Sequence, residues 1–343
     1  MPLTIISSDR FVEHQTPPGH PESPARAEVF SVIAGEWRAM GGEVVAPPAA
    51  TPEQLARVHA ADYLQRIQAT EGKSVALDPD TYTSPASHEI ALLAAGGSVH
   101  AVDSVMANGG CALVMGRPPG HHAERNKAMG FCLYNNIAIA AAEARARGAE
   151  RVAIVDYDVH HGNGTQHIFE SDPSVLYMSA HQFPFYPGTG APEEIGKGAG
   201  EGYTINVALE AGALDEDYKQ VFKSLFNPII RQFKPDLVLV SAGFDAHDRD
   251  PLAGMRLTTA AFGAMTNELR LAAKECCRGK LVAVVEGGYD MRALGQSLRA
   301  VVNSLSALVA QPAVWPAAGE VAPTRAQAAV EATRRAVGRF WKL

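Results

Sequence analysis

A chain of 343 residues, 47% apolar and 20% charged, is long enough to bury about three quarters of its extended surface. That excludes a disulfide-stapled miniprotein and a disordered tail. With 30 Lys and Arg against 37 Asp and Glu the net charge is −7, and no basic block appears, so direct nucleic-acid binding is not expected. Cys111, Cys132, Cys276 and Cys277 follow neither a disulfide nor a metal-finger spacing. MPLTIISSDR has no basic stretch followed by a long apolar run, so no secretory signal is expected, and the apolar run DLVLV is far too short to span a membrane. A cytoplasmic protein without membrane contact is the expectation.

In chain order, LTII at 3–6 reads as a strand, and Pro24 opens a helix toward Arg38. Asp62 is a candidate cap for a short helix, and 73–85 reads as polar and turn-rich. A long helix follows from Pro85, with Ile90, Leu93, Val99 and Val102 as its buried stripe. The strand CALVMG at 111–116 leads into RPPGHH, a helix near Asn135 covers 137–147, and RVAIVD runs as a strand into polar residues. Further strands are expected at 175–179, 204–207, 237–241 and 281–285, and helices at 215–231, 258–275 and 292–308. Apolar strands alternating with helices predict an α/β fold, a mainly parallel central sheet flanked by helices. The polar motifs follow the strands, where such sheets place their sites. The whole chain, 1–343, is read as one domain, with 306–343 a proline-rich linker and a packed C-terminal helix.

The most informative passage is DYDVHHGNG at 156–164. On an extended segment Asp156, Asp158 and His160 point to one side. Asp158 and His160 supply a carboxylate and an imidazole, and Asp245 in SAGFDAH at 241–247 supplies a second carboxylate after another apolar strand. Two carboxylates and one imidazole leave coordination positions open and suit catalytic zinc, without excluding iron or cobalt. RPPGHH adds the tandem pair His121 and His122. His122 can take a proton from water and pass it to an amine, and His121 can stabilise charge if Asp156 receives its other ring proton. EGGY at 286–289 places the Tyr289 phenol where it can donate to a carbonyl oxygen as negative charge develops. No phosphate loop, dinucleotide fingerprint or GxSxG elbow competes.

Taken together, GHPESPAR at 19–26, VHAADYL at 58–64, RPPGHHA, MGFCLYNN at 129–136, DYDVHHGNGTQ, YPGTG at 186–190, SAGFDAH and EGGYD make the chain resemble zinc-dependent histone-deacetylase-like amidohydrolases. These have the arginase/deacetylase fold, and the resemblance lies with a class II-like bacterial branch related to acetylpolyamine amidohydrolases. It spans about residues 14–305. It implies that Asp158, His160 and Asp245 bind Zn2+, that His121 and His122 are the tandem catalytic histidines and that Tyr289 polarises the carbonyl. It also implies that Asp156 supports His121 and that Asn163 stands beside the second histidine, where some relatives carry aspartate. Gly130, Phe131 and Tyr186 match the acyl-chain tunnel. A structural K+ site near Asp156, Asp158, His160, Ser179 and Ala180 is implied as well.

The expected reaction is deacetylation of acetyl-lysine-like substrates, with a small acylated amine or acyl-lysine peptide as partner and a homo-oligomer allowed. An acetylpolyamine offers the same amide at the end of a flexible apolar stem, which keeps acetylpolyamine hydrolysis open as an alternative. Asp78 or Asp80 in the rim could attract a cationic tail or bond a peptide amide, and either also reads as an ordinary solvated loop acid. A catalytically silent acetyl-ligand binding module is the alternative of another class. An arginase-like enzyme would call for more carboxylates around two metals.

Overall fold

A computed structural model describes residues 2–306, 313–316 and 325–343. The chain opens with β1 (Leu3–Ser7), α1 (Ala25–Ala39), β2 (Glu43–Val45), α2 (Pro52–Ala56) and α3 (Ala61–Gln68). A small hairpin, β3 (Val75–Ala76) and β4 (Tyr82–Thr83), precedes α4 (Ser87–Asn108), β5 (Cys111–Met115), α5 (Asn136–Ala146) and β6 (Val152–Asp156). Then come α6 (Asn163–Phe169), β7 (Val175–Gln182), β8 (Thr204–Leu209), α7 (Asp215–Val221) and α8 (Asn227–Phe233). The described chain finishes with β9 (Leu237–Ala242), α9 (Thr259–Cys277), β10 (Leu281–Val285), α10 (Met291–Leu305) and α11 (Ala326–Val337).

Eight strands form one sheet in the order β2-β1-β5-β10-β9-β6-β7-β8, and every pairing in it is parallel. The inner strands are buried along their whole length, which is why they read as unbroken apolar runs. Their side chains still alternate. Ala112, Val114, Val152 and Ile154 join one core, whereas Cys111, Leu113, Ala153 and Val155 join the other. Helices α3, α4 and α5 close the first face, and α1, α9, α10 and α11 the second.

Several boundaries differ from expectation for local reasons. Asp62 is not a cap: Ala60 holds the cap position of α3, and Asp62 in its first turn pairs with Arg66 in its last at 2.6 Å. The 73–85 loop contains the β3–β4 hairpin, and β2, α2 and α6 are too short to leave a periodic signal. The helix expected at 215–231 is α7 and α8 joined by a π-helical turn at Phe222–Phe226, just before Pro228. Helix α4 has the length and composition to cross a membrane, a possibility the sequence reading passed over. Here 61% of its most apolar window is buried in the protein, where it packs on α5 and β5. Most of the expected linker at 306–327 lies outside the described residues.

Candidate metal-dependent active site

The inner strands β5, β10, β9 and β6 lie side by side with their carboxyl ends on one edge. The turns beyond them carry the predicted chemistry. The extended geometry expected through 156–160 ends at Asp156, where β6 stops. Beyond it the carboxylates cap tight turns: Asp156 Oδ1 accepts from Asp158 N at 3.1 Å, and Asp158 Oδ1 from His160 N at 2.9 Å. These turns, not strand alternation, aim Asp158 and His160 at one point. Asp245, beyond β9, reaches the same point, with its Oδ1 accepting from Val159 N at 3.0 Å.

One ligand atom from each of Asp158, His160 and Asp245 lies within 4.8 Å of the others, and all three residues are buried. His160 Nδ1 stands 3.2 Å from Asp158 Oδ1 and 3.1 Å from Asp245 Oδ2. The surroundings leave no room for larger neighbours: a Cβ on Gly243 would lie 2.1 Å from Asp158 Oδ2, and one on Gly287 2.2 Å from Asp245 Oδ2. Two carboxylates converging in a buried site carry a large desolvation cost that a divalent cation offsets. The donor set fits zinc. Burial followed by the repulsion of Asp158 raises the Asp245 carboxyl. Burial opposes a charge on His160, but Asp158 and Asp245 together push its imidazolium up to about 10.

The tandem histidines face opposite surroundings. His121 Nδ1 lies 3.0 Å from Asp156 Oδ2, which also accepts from the Tyr177 hydroxyl at 3.1 Å. Burial opposes the His121 charge, but Asp156 and Asp158 outweigh it and push the ring up to about 10. His122 Nδ1 lies 2.7 Å from Asn163 Oδ1, a neutral partner. Burial, then the positive His121 and His160, hold His122 well below the usual histidine range. Beneath the pair, Glu286 Oε2 accepts from the backbone N–H of Gly120 (2.6 Å) and His121 (3.2 Å), and burial pushes this carboxyl up to about 7.

Tyr289 is fixed through its backbone, where Asp250 Oδ2 accepts from its N–H at 2.6 Å. Its ring lies 5.3 Å from the Arg26 guanidinium carbon and 5.8 Å from the Phe131 ring. Gly130, Phe131 and Tyr186 line a cavity together with His121, His122, His160, Tyr289, Pro119, Gly287, Asp80 and Leu252. A Cβ at Gly130 would sit 2.4 Å from His122 Cδ2, and Phe131 adopts φ 69°, a strained left-handed backbone. Of the rim acids, Asp80 lines this cavity, and its carboxyl is raised by burial and by Asp78.

For the expected monovalent-cation group, Asp156 and Ser179 are register partners on β6 and β7, with Ala180 following. Ser179 Oγ bonds His181 Nδ1 at 2.8 Å, and the side chains of Asp156, Asp158 and His160 are engaged as above. Any cation there would depend on backbone carbonyls.

Sequence reasoning gave no role to Glu22, Arg26 and Arg117, which form a fully buried ion cluster behind Tyr289. Glu22 Oε1 accepts from Arg26 Nη1 at 3.0 Å, and Glu22 Oε2 from Arg117 Nη2 at 2.7 Å. Arg26 Nε donates to Gly288 O at 2.9 Å and Nη2 donates to Glu286 O. All three residues sit inside quoted motifs, but nothing in the sequence shows that they are buried or that they meet. Leu252 left no signal at all.

Fold and site together define an α/β protein of the arginase/deacetylase class with a deacetylase-type metal site. The family model for the histone deacetylase domain matches residues 20–305, and the chain belongs to the histone deacetylase family. It is 40% identical over 292 residues to a "Probable deacetylase" of Archaeoglobus fulgidus, covering 84% of this chain and 81% of that one. It is 40% identical over 303 residues to the "Histone deacetylase-like amidohydrolase" of Pseudomonas aeruginosa, covering 86% and 79%. The crystal structure of the HDA15 HD domain superposes with a TM-score of 0.90 at 35% identity, over 99% of this chain and 97% of that one.

Proposed function

We propose that the chain hydrolyses the amide of an N-acetylated, lysine-like side chain in a zinc-dependent reaction. The observation that carries this reading is the convergence of the Asp158–His160–Asp245 group, the unlike histidines and Tyr289 on one cavity. Zinc held by the three ligands would supply Lewis acidity toward the carbonyl and a lowered pKa for water. His122, kept uncharged, offers Nε2 to take the proton from the attacking water and return it to the departing amine. His121, held as an imidazolium by Asp156, stabilises the negative charge of the tetrahedral species. Burial, then the charge of Asp245, keeps the Tyr289 phenol protonated, so it can donate to the same oxygen. Water adds to the carbonyl, the C–N bond breaks, and carboxylate and free amine leave. A K+ ion bound by carbonyls near Asp156 and Ser179 belongs to this reading as a structural element.

The walls formed by Gly130, Phe131, Tyr186 and Leu252 suit an uncharged methylene stem. Asp80 on the same cavity favours a second reading, an acetylpolyamine whose cationic tail meets that carboxylate. Rates on acetyl-lysine peptides against acetylputrescine, acetylcadaverine and acetylspermidine separate the two. Chelation is expected to abolish hydrolysis and zinc to restore it. Tyr289→Phe is expected to fold normally and lose about 10²- to 10³-fold in kcat. Unchanged turnover by both the metal-free protein and the variant rejects the chemistry. Binding of acetylated ligands without any product points to a silent binding module instead.

A further inference from the structure

A base at His122 Nε2 requires the ring hydrogen of the uncharged imidazole to sit on Nδ1, and the structure holds a group that enforces this. The partner of Nδ1 is the Asn163 side chain, 2% exposed. An amide's oxygen and nitrogen have nearly the same shape, so its surroundings decide which end faces the histidine. The other end meets only acceptors: Glu124 Oε1 at 2.6 Å, the His122 carbonyl at 3.4 Å and Met129 Sδ at 3.5 Å. A carboxylate has no hydrogen to give, so Asn163 must present Nδ2 to Glu124 and Oδ1 to His122. Oδ1 in turn can only accept, so His122 Nδ1 carries the hydrogen and Nε2 is left bare.

Glu124 is itself held. Its Oε1 also lies 2.8 Å from His167 Nδ1, its backbone N–H donates to Lys127 O at 2.9 Å, and His59 Nδ1 stands 3.0 Å from its carbonyl. Reversing the amide would set two acceptor oxygens against each other at Glu124 and force the His122 hydrogen onto Nε2.

We infer that Glu124 is a positioning residue: its carboxylate fixes the Asn163 amide and thereby selects the His122 tautomer that can act as base. Glu124 touches no reacting atom and works through two intermediaries. The inference rests on the proposed role of His122 for its kinetic consequence, though not for its structural one.

Glu124→Gln keeps the shape but adds an N–H2 that can donate to a reversed Asn163, so both amide orientations become satisfied. In zinc-loaded protein this variant is expected to lose about tenfold in kcat on a fluorogenic acetyl-lysine amide, with KM changed by less than about twofold. Asn163→Asp in the native background sets two carboxylates in contact and is expected to be impaired as well. In Glu124→Gln/Asn163→Asp the new carboxylate can only accept, from Gln on one side and from His122 on the other. The double variant, assayed at its own pH optimum, is expected to exceed both single variants in kcat.

Nitrogen-15 spectra of histidine-labelled protein read the tautomer without turnover. The His122 signals are expected to show Nδ1–H in the native chain and a mixture in Glu124→Gln. An unmixed Nδ1–H pattern in Glu124→Gln, or a double variant no better than the singles, overturns the inference. If the native protein proves inactive on every amide, the functional reading falls, and the nitrogen spectra still decide the role of Glu124.

Discussion

His121 and His122 are consecutive residues with ring centroids 4.0 Å apart, yet one is held charged and the other uncharged. The difference lies in their Nδ1 partners, the Asp156 carboxylate and the Asn163 amide. A measurable pH dependence follows. A base must be unprotonated to work, and burial together with the positive His121 depresses His122 below 6.5. In zinc-saturated protein kcat/KM is therefore expected to stay level as pH falls through 6.5 and to decline only below it. An acid limb centred at or above 6.5 in the pH–rate profile contradicts this assignment. Residue types were legible at this scale: the histidine pair, Asp156 and Asn163 stood out as a polar run after apolar strands. Their unlike roles were anticipated on condition that Asp156 reaches His121; that contact itself was not legible, because it depends on how segments far apart in the chain are packed.

At the scale of elements, the Glu22 cluster ties the segment between β1 and α1 to the turns after β5 and β10. A single buried carboxylate serves two guanidinium groups there, and His14 Nε2 lies 3.5 Å from it. Glu22→Gln removes that charge and leaves Arg26 and Arg117 facing each other without a counter-ion. The expected loss is about 3–5 kcal/mol of folding stability, read by urea unfolding. A change under 1 kcal/mol would mean that the cluster does not hold these turns. The inner strands were legible because burial on both faces leaves a run of branched apolar residues. The turns were not: the bend that joins Asp158 to His160 is written in carboxylate-to-backbone bonds, which a reading based on alternation cannot foresee. Short pieces such as β2 and α6 failed for want of length.

Across the whole molecule, residues beyond the matched family region still contribute to the core. Ala326, Val330, Val337 and Trp341 pack into the larger hydrophobic cluster, and α11 lies on β8 and α7. The Trp341 indole N–H donates to Gly202 O at 2.7 Å, and its ring meets Tyr203 edge-on at 5.8 Å. Trp341→Ala is expected to cost about 3–5 kcal/mol in stability, seen as a lower Tm in calorimetry. An unchanged Tm would show that this end of the chain is dispensable. A C-terminal helix was readable from composition; its seat on β8 was not.

All eight strands of the sheet run the same way, so every group proposed to meet substrate hangs from a single rim and the far rim carries none of them. Foundation and workbench are thus separate. The polar 73–85 segment that carries Asp80 could be exchanged for a longer or differently charged version to retarget the site while the scaffold beneath keeps its registry, whereas a strand slipped by one residue would scatter the whole toolkit at once.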